Sequence, residues 1–142
     1  MNLGECMRKG LIKRDPMARE KITKSIEISE RFLKEAKGNF KMEYYDVCEL
    51  LAYNSSFHAG RALLFLKGHK ERSHTCLIAA LTSFYKKDYE LMKMFSTFDQ
   101  LRLSRHNVQY DGDLVSKEKA KLVIDFASQF IKIAKRKCKS ED

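Results

Sequence analysis

Apolar residues recur along most of this 142-residue chain at intervals of three and four positions, the period of an α-helix that packs on one face. Met94, Phe98, Leu101 and Val108 follow this period, and Arg105 occupies the remaining position of the same seam. Burying a guanidinium without a partner is costly. The seam therefore predicts either a ligand or a carboxylate partner for Arg105.

Residues that start and stop helices divide the chain into five predicted helices. Caps and a proline stand where helices begin, and glycines stand where several end. No stretch alternates with period two for long enough to predict a strand. The predicted helices run from Asp15-Pro16 to Gly38, from about Met42 to Lys67 with a stop at Gly68, from Ser73 for a shorter helix, from Asp88 to near Tyr110 and Gly112, and from Ser116 onward.

Short loops make sequential helices antiparallel neighbours. The predicted fold class is all-α: an up-and-down helical bundle of four main helices plus a short helix. Residues 1–142 are expected to form one domain. Within it, residues 1–14 are a lead-in segment in which Leu3, Met7, Leu11 and Ile12 indicate a short amphipathic helix.

The second predicted helix carries a polar stripe beside its core face. Asn54, His58 and Arg61 follow one another there at helical spacing. Gly60, in mid-helix, costs about 1 kcal/mol relative to alanine, which predicts close approach of another helix. Two interpretations of the stripe stay open. Its residues either form hydrogen bonds within the bundle, or line a cleft shared with the fourth helix.

Charge narrows the class of partner. The formal net charge of +9 favours an anionic partner such as RNA, a nucleotide or an acidic protein, and a simply solvated surface has the same composition. Part of the excess lies at the end of the last helix, where cations also complement the helix dipole. No apolar run reaches the ~18 residues of a membrane span, so we expect a cytoplasmic protein without a membrane partner.

The cysteines show no CxxC pair and no zinc-ligand spacing. We therefore expect no metal site and no cofactor. Reduced cysteines that fill the core are expected in place of a disulfide framework. The four are Cys6, Cys48, Cys76 and Cys138.

Residues 52–76 resemble the second-helix signature of the HEPN domain family, small helical proteins of prokaryotes named for nucleotide binding. A second motif of the same kind, Arg-His-x-x-Gln-Tyr, covers residues 105–110. The lead-in is also similar, so the resemblance extends over nearly the whole chain. The residues that match the first motif are Tyr53, Phe57, His58, Ala59, Arg61, Ala62, Leu63 and Leu64, followed by Gly68, Ser73 and His74.

The resemblance implies an up-and-down bundle, commonly dimeric, and two kinds of activity. Many members are ribonucleases, often toxins of toxin–antitoxin pairs, and others are partner subunits of minimal nucleotidyltransferases. The ribonucleases carry an arginine, four to six residues, then a histidine. This chain departs from that pattern, since four residues separate Arg105 from Tyr110 and three separate Arg102 from His106. Tyrosine, with a pKa near 10, is a poor base at pH 7.

Three functional hypotheses follow. The first is a homodimeric HEPN protein that binds nucleotide or RNA phosphates, as the partner or toxin component of a minimal nucleotidyltransferase toxin–antitoxin pair. The second is a metal-independent endoribonuclease toxin, and the third a non-catalytic helical scaffold for an acidic partner. If Arg105 is only structural, it either extends its charged end to solvent or pairs with a carboxylate such as Glu118 or Asp125. The predicted ligand-binding residues are Asn54, His58, Arg61, Arg105 and Gln109, and the ribonuclease hypothesis assigns catalysis to Arg102, Arg105, His106 and Tyr110.

Overall fold

Helices form in each region where the apolar period and its flanking caps predicted them. The computed structural model describes residues 1–140, and over that range the predicted all-α fold class is confirmed. A sheet of two three-residue strands accompanies the helices. In chain order the elements are α1 (Leu3–Arg8), β1 (Ile12–Arg14), a 3₁₀ helix (Ala18–Lys21), α2 (Ile22–Lys41), α3 (Tyr45–Leu66), β2 (His69–Glu71), α4 (His74–Phe84), α5 (Tyr89–Asp111) and α6 (Lys117–Ser140).

Side chains at three predicted helix starts accept hydrogen bonds from backbone N–H groups that the helix leaves free. Gly68 and Gly112 follow α3 and α5 with φ angles of 77° and 71°, a conformation that glycine adopts without strain. These boundaries are confirmed. The cap contacts are the N–H of Cys76 to Ser73 Oγ at 3.2 Å, of Leu91 to Asp88 Oδ1 at 3.1 Å, and of Lys119 to Ser116 Oγ at 3.1 Å.

The predicted limits of the first long helix are wrong at both ends. Asp15 accepts from the N–H of Met17 at 3.0 Å, as a cap would, but a 3₁₀ helix follows and α2 begins only at Ile22. Gly38 stays within the helix, which tolerates a glycine at modest cost. The chain turns away instead at Glu43, whose φ is 64°.

The two strands correct the expectation that the chain has none. They pair antiparallel, with Ile12 opposite Glu71 and Arg14 opposite His69. A strand of three residues is too short for alternation to be detected in the sequence. The pairing joins the lead-in segment to the connection between α3 and α4, so it depends on a contact between distant parts of the chain.

Helix α3 is the central element. It packs against α2, α4, α5 and α6, and most of its residues from Cys48 to Leu66 are buried or half-buried. A Cβ atom at Gly60 would lie 3.2 Å from the ring of Phe98 on α5 and 3.4 Å from Leu81 on α4. The predicted close approach at Gly60 is therefore confirmed, and it brings α4 and α5 against α3.

Two of the cysteines correct the expectation of reduced thiols. Cys6 of α1 and Cys76 of α4 form a disulfide across a Cα–Cα distance of 5.8 Å, 70 residues apart in sequence. A pair so distant leaves no spacing motif, because only the packing of α1 on α4 brings it together. Cys48 is a free thiol, as predicted, and both Cys48 and Cys138 are buried. Burial and the neighbouring Glu49 raise the pKa of the Cys48 thiol to about 11.

Candidate functional site

Arg105 projects from α5 towards Tyr53 of α3. Its guanidinium carbon lies 4.9 Å from the centre of the Tyr53 ring, and one terminal nitrogen, Nη1, donates to Gln109 Oε1 at 2.9 Å. The inner nitrogen, Nε, is buried and has no hydrogen-bond partner. A buried donor of this kind costs about 1–3 kcal/mol. The side chain is thus aligned by an aromatic face and an amide while part of its hydrogen-bonding capacity stays unused.

Neither of the two carboxylates predicted as structural partners pairs with Arg105. Asp125, one of the two predicted partners, pairs with Lys121 at 3.2 Å instead. Across residues 1–140 neither Glu118 nor any other acidic side chain forms an ion pair with Arg105. The predicted structural ion pair is therefore wrong. Helix α6 presents its acidic residues to solvent and its apolar residues to the bundle.

A histidine that the motif contains, but that the sequence did not assign to a site, lies beside Arg105. His74 is the first residue of α4, and its Nδ1 is 2.8 Å from the hydroxyl of Tyr53. The His74 ring stacks on Phe57 with centroids 4.0 Å apart. Burial, followed by the charges of Arg105 and Arg102, lowers the pKa of His74 to about 4. At neutral pH His74 is therefore uncharged.

Electrostatics determines whether Tyr53 or His74 carries the hydrogen of the bond between them. Burial raises the pKa of Tyr53 to about 12, with Arg105 and Arg102 opposing the rise, so the phenol keeps its proton. The positive charge of Arg105 attracts the lone pairs of the phenol oxygen, which turns the O–H towards His74 Nδ1. His74 then carries its own hydrogen on Nε2 as a free donor.

Arg102 adds a second positive charge to the same region. Its Nε donates to Asp99 Oδ1 at 3.0 Å, one turn earlier on α5, and its side chain is 22% exposed. Tyr53, His74, Arg102 and Arg105 together are called the Arg105 cluster below. It combines two permanent cations with a neutral imidazole and a phenol, a set that suits an anion with several acceptor oxygens.

The polar stripe on α3 lies on a different side of that helix. The His58 ring stacks on Phe32 of α2 at 5.6 Å, and Arg61 Nε donates to Glu71 Oε1 of β2 at 2.6 Å. Over the described residues neither side chain has a hydrogen bond, ion pair or ring contact with α5. His58 and Arg61 thus contact α2 and β2, and the predicted cleft between this stripe and α5 stays a prediction. Asn54 is half-buried on the same helix.

The stripe also contains a neutral histidine. Burial lowers the pKa of His58 to about 4, followed by the charges of Arg61 and Arg31, and His58 Nδ1 is buried without a hydrogen-bond partner. Burial also raises the pKa of Glu71, while its partner Arg61 opposes the rise. Arg61 makes the hydrogen bond within the bundle that the first interpretation expects, whereas His58 contributes ring contacts and its Nδ1 makes no hydrogen bond.

The other predicted site residues lie on the exposed surface of α5. His106 and Tyr110 are exposed, one turn apart, with ring centroids 4.7 Å apart. Gln109 is exposed as well and accepts the Arg105 hydrogen bond. Arg105 therefore has the fully buried Tyr53 and the half-buried His74 on one side, and the exposed His106 and Tyr110 next to it on α5. Residues 1–140 contain no cluster of three or more histidine, cysteine or acidic side chains that could bind a metal ion.

Comparison with known families identifies the domain. A model of the HEPN domain matches residues 22–137, from the start of α2 almost to the end of α6. The chain belongs to the HEPN domain family. The match covers every long helix and all residues of the Arg105 cluster.

Curated relatives align over most of the chain. One, from Methanocaldococcus jannaschii, is named "Putative toxin MJ0605" and is 26% identical over 132 residues, which are 92% of this chain and 97% of that protein. Another, from Archaeoglobus fulgidus, is named "UPF0332 protein" and is 27% identical over 111 residues, 75% of this chain and 86% of that protein.

None of the helices in residues 1–140 combines the length and apolar character needed to span a membrane.

Two members of the cluster were missed at the sequence level although a signal for them existed. The sequence indicates Tyr53 and His74 only as residues of the first motif. A histidine directly after a capping serine begins a helix with its ring free to fold back on the preceding helix. The position of His74 directly after Ser73, together with Tyr53 one turn before Phe57, could have predicted that Tyr53 and His74 meet.

Proposed function

We propose that this HEPN protein binds the phosphate groups of a nucleotide or an RNA at the Arg105 cluster. The observation that carries the proposal is the state of Arg105: a guanidinium on a packed helix seam, with a buried Nε that lacks a partner and, among residues 1–140, no carboxylate paired to it. An arginine presents its donors in a planar fork that matches phosphate oxygens. The charge of Arg105 is available for such a ligand.

The neighbours of Arg105 add donors of the right kind. With Tyr53 donating to Nδ1, the Nε2–H of neutral His74 is a further donor for a phosphate oxygen. Arg102 contributes a second cation, partly neutralised by Asp99. Gln109 orients the guanidinium without neutralising it, because an amide oxygen accepts a hydrogen bond but carries no charge.

We place this activity in a toxin–antitoxin pair, with the chain as the partner or toxin component opposite a nucleotidyltransferase-type antitoxin. The relative named as a toxin in Methanocaldococcus jannaschii, aligned over nearly its full length, supports the toxin side of this assignment. The antitoxin side rests on the family resemblance. Co-expression with a neighbouring nucleotidyltransferase, followed by co-purification, tests it directly.

A second candidate function is metal-independent RNA cleavage. The exposed His106–Tyr110 pair, next to Arg105 on α5, supports it, since an accessible histidine can exchange a proton near neutral pH. In this mechanism the ribose 2′-hydroxyl gives up its proton and attacks the phosphate, which the arginines stabilise. A 2′,3′-cyclic phosphate forms, the bond to the 5′-oxygen of the next nucleotide breaks, and that oxygen leaves as a hydroxyl after taking up a proton. Of the two candidates, only cleavage requires His106, so His106→Ala should abolish RNA cleavage and leave phosphate binding intact.

Arg105→Ala tests the phosphate site. We expect binding of ATP and of a short RNA to fall roughly 10- to 150-fold, the equivalent of about 1.5–3 kcal/mol for hydrogen bonds to a charged group. The melting temperature without ligand should stay the same or rise, because the buried orphan donor is removed. Isothermal titration and thermal melts measure the two effects. Arg14→Ala, an exposed arginine on β1, is the matched control and should change neither.

A large fall in melting temperature without ligand would show that Arg105 has a structural role and would overturn the proposal. Equal binding by wild type and Arg105→Ala would also overturn it. If neither protein binds ATP or RNA, the scaffold for an acidic partner is the remaining function.

A further inference from the structure

A groove between α2 and α6 carries an excess of positive charge. It has a volume of about 620 Å³ and lies between the second half of α2 and the middle of α6. No residue of the Arg105 cluster lines it. The charged residues along it are Glu30, Lys34, Lys37 and Lys41 of α2, and Lys132 and Lys135 of α6.

Most of this charge is not neutralised within the protein. Glu30 pairs with Lys135 at 3.5 Å. Over the described residues Lys34, Lys37, Lys41 and Lys132 have neither an ion pair nor a hydrogen bond, and all four side chains are exposed. Four like charges at the edges of one groove repel one another unless an anion binds between them.

Arg136 and Lys137, near the end of α6, differ from the lysines of the groove because both have ion-pair partners. Arg136 forms an ion pair with Glu90, and Lys137 pairs with Asp88 at 2.8 Å, both of which tie the end of α6 to the start of α5. These two cations of α6 therefore have a structural role. Unpaired positive charge lies instead on Lys34, Lys37 and Lys41, which follow one another at helical spacing on α2. The sequence alone does not distinguish them from other exposed lysines.

The floor of the groove is apolar and open. Leu33 and Ile131 line it, and Gly38 leaves free space, since a Cβ atom there would meet no other atom within 4 Å. Gly38 thus lies inside a helix without a packing reason for its missing side chain. No aromatic side chain lines the groove, so it offers no surface on which bases could stack.

We propose that this groove binds the phosphodiester backbone of a nucleic acid, without reading its sequence. Lys34 to Lys41 span seven residues of α2, about 10 Å, which corresponds to about three successive phosphates of one strand of a duplex. Lysines act as flexible point charges for such phosphates, and Lys132 contacts the chain from the opposite wall. The bare backbone at Gly38 allows close approach. The groove is a second site, beyond the proposed function of the Arg105 cluster.

The salt dependence of binding tests this site. With four lysine–phosphate contacts, the affinity for duplex DNA of about 20 base pairs should fall roughly 150-fold between 50 and 200 mM salt, from a slope of about −0.9 per contact. Lys37→Ala/Lys132→Ala should reduce that fall to roughly 12-fold. Fluorescence anisotropy measures both. Single-stranded RNA and duplex RNA of the same sequence, run alongside, identify which nucleic acid binds best.

Lys86→Ala/Lys87→Ala is the matched control, because it removes the same charge from exposed lysines between α4 and α5. It should keep the wild-type salt slope. Circular dichroism confirms that the variants are folded. Three results would overturn the proposal: no binding of any nucleic acid by wild type, equal slopes for the two lysine pairs, or competition by polyglutamate as strong as that by nucleic acid of equal charge.

Discussion

Buried polar atoms without partners mark the least satisfied side chains of the described chain. Over residues 1–140 three such atoms occur: Glu49 Oε2, His58 Nδ1 and Arg105 Nε. Each costs about 1–3 kcal/mol of stability. Glu49 at least shares its other oxygen with the hydroxyl of Ser104 at 2.7 Å. Arg105 and His58 differ in their surroundings. Arg105 lies near the donors of His74 and Arg102, which could bind the same ligand, whereas the His58 ring stacks on Phe32.

His58→Phe should stabilise the protein. The substitution removes the unpartnered Nδ1 and keeps an aromatic ring on Phe32, so we expect a gain of about 1 kcal/mol at pH 7. Chemical denaturation measures it. A loss of stability instead would show that the His58 ring nitrogens have a partner in solution.

The pH dependence of stability follows from the two buried histidines. His58 and His74 have a pKa of about 4 in the folded protein and about 6.5 when unfolded. Between these values the unfolded chain binds more protons, so stability falls as the pH drops from 6.5 towards 4. From pH 7 to pH 5 each histidine should cost about 1–2 kcal/mol.

The same measurement in His58→Phe should give a shallower pH profile, because one of the two histidines no longer contributes. His106→Phe, at an exposed position, is the control and should retain the wild-type profile. Parallel profiles for wild type and His58→Phe would contradict the assignment of a buried neutral imidazole at position 58.

At the scale of elements, local signals predicted well and contacts between distant segments did not. Ser73, Asp88 and Ser116 cap helices through bonds to residues three positions away, which the sequence shows directly. The pairing of β1 with β2 and the Cys6–Cys76 bridge depend on where α1 docks. The same limit applied to the candidate site: Arg105 was apparent as a charge on a seam, but its neighbours Tyr53 and His74 come from two other helices.

Two glycines in long helices should respond to alanine in opposite directions. At Gly38 of α2 the new methyl group meets no neighbour, so Gly38→Ala should stabilise the protein by about 0.5–1 kcal/mol through helix propensity. At Gly60 of α3 it would lie 3.2 Å from the fully buried ring of Phe98. We expect Gly60→Ala to lose about 1 kcal/mol net, because overpacking outweighs propensity.

Urea denaturation of both variants gives the comparison, with each glycine position controlling for the other. A stabilised Gly60→Ala would mean that α5 can move away from α3 at little cost. A destabilised Gly38→Ala would mean that an unseen partner occupies the groove in the purified protein.

For the molecule as a whole, exposed apolar side chains near the end of α5 support the expectation of a homodimer. Leu103, Tyr110 and Leu114 are 52%, 63% and 92% exposed, and Leu103 and Leu114 line the same shallow groove. A patch of this kind is covered in most soluble proteins by a second copy or another partner. It lies on the helix that carries Arg102, Arg105 and His106, so a dimer formed here would bring two copies of these residues near one another.

Light scattering should give a mass near twice 16.6 kDa for the wild type. Leu103→Glu/Leu114→Glu should shift it to the monomer mass while keeping the helical circular dichroism spectrum, because both side chains are solvent-exposed in the single chain. Met42→Glu, 65% exposed at the end of α2, is the control and should leave the mass unchanged. A monomeric wild type at micromolar concentration would contradict the homodimer.

The Cys6–Cys76 bridge divides the chain into a covalently closed ring and an open tail. The ring holds α1, both strands, α2 and α3, and includes Tyr53 and His74, whereas α5 and α6, with Arg105, belong to the tail. The Arg105 cluster therefore exists only while the tail is docked on the ring. A phosphate held across it would act as a second, reversible closure. Ligand should then slow amide hydrogen exchange in the tail more than in the ring, because it opposes undocking.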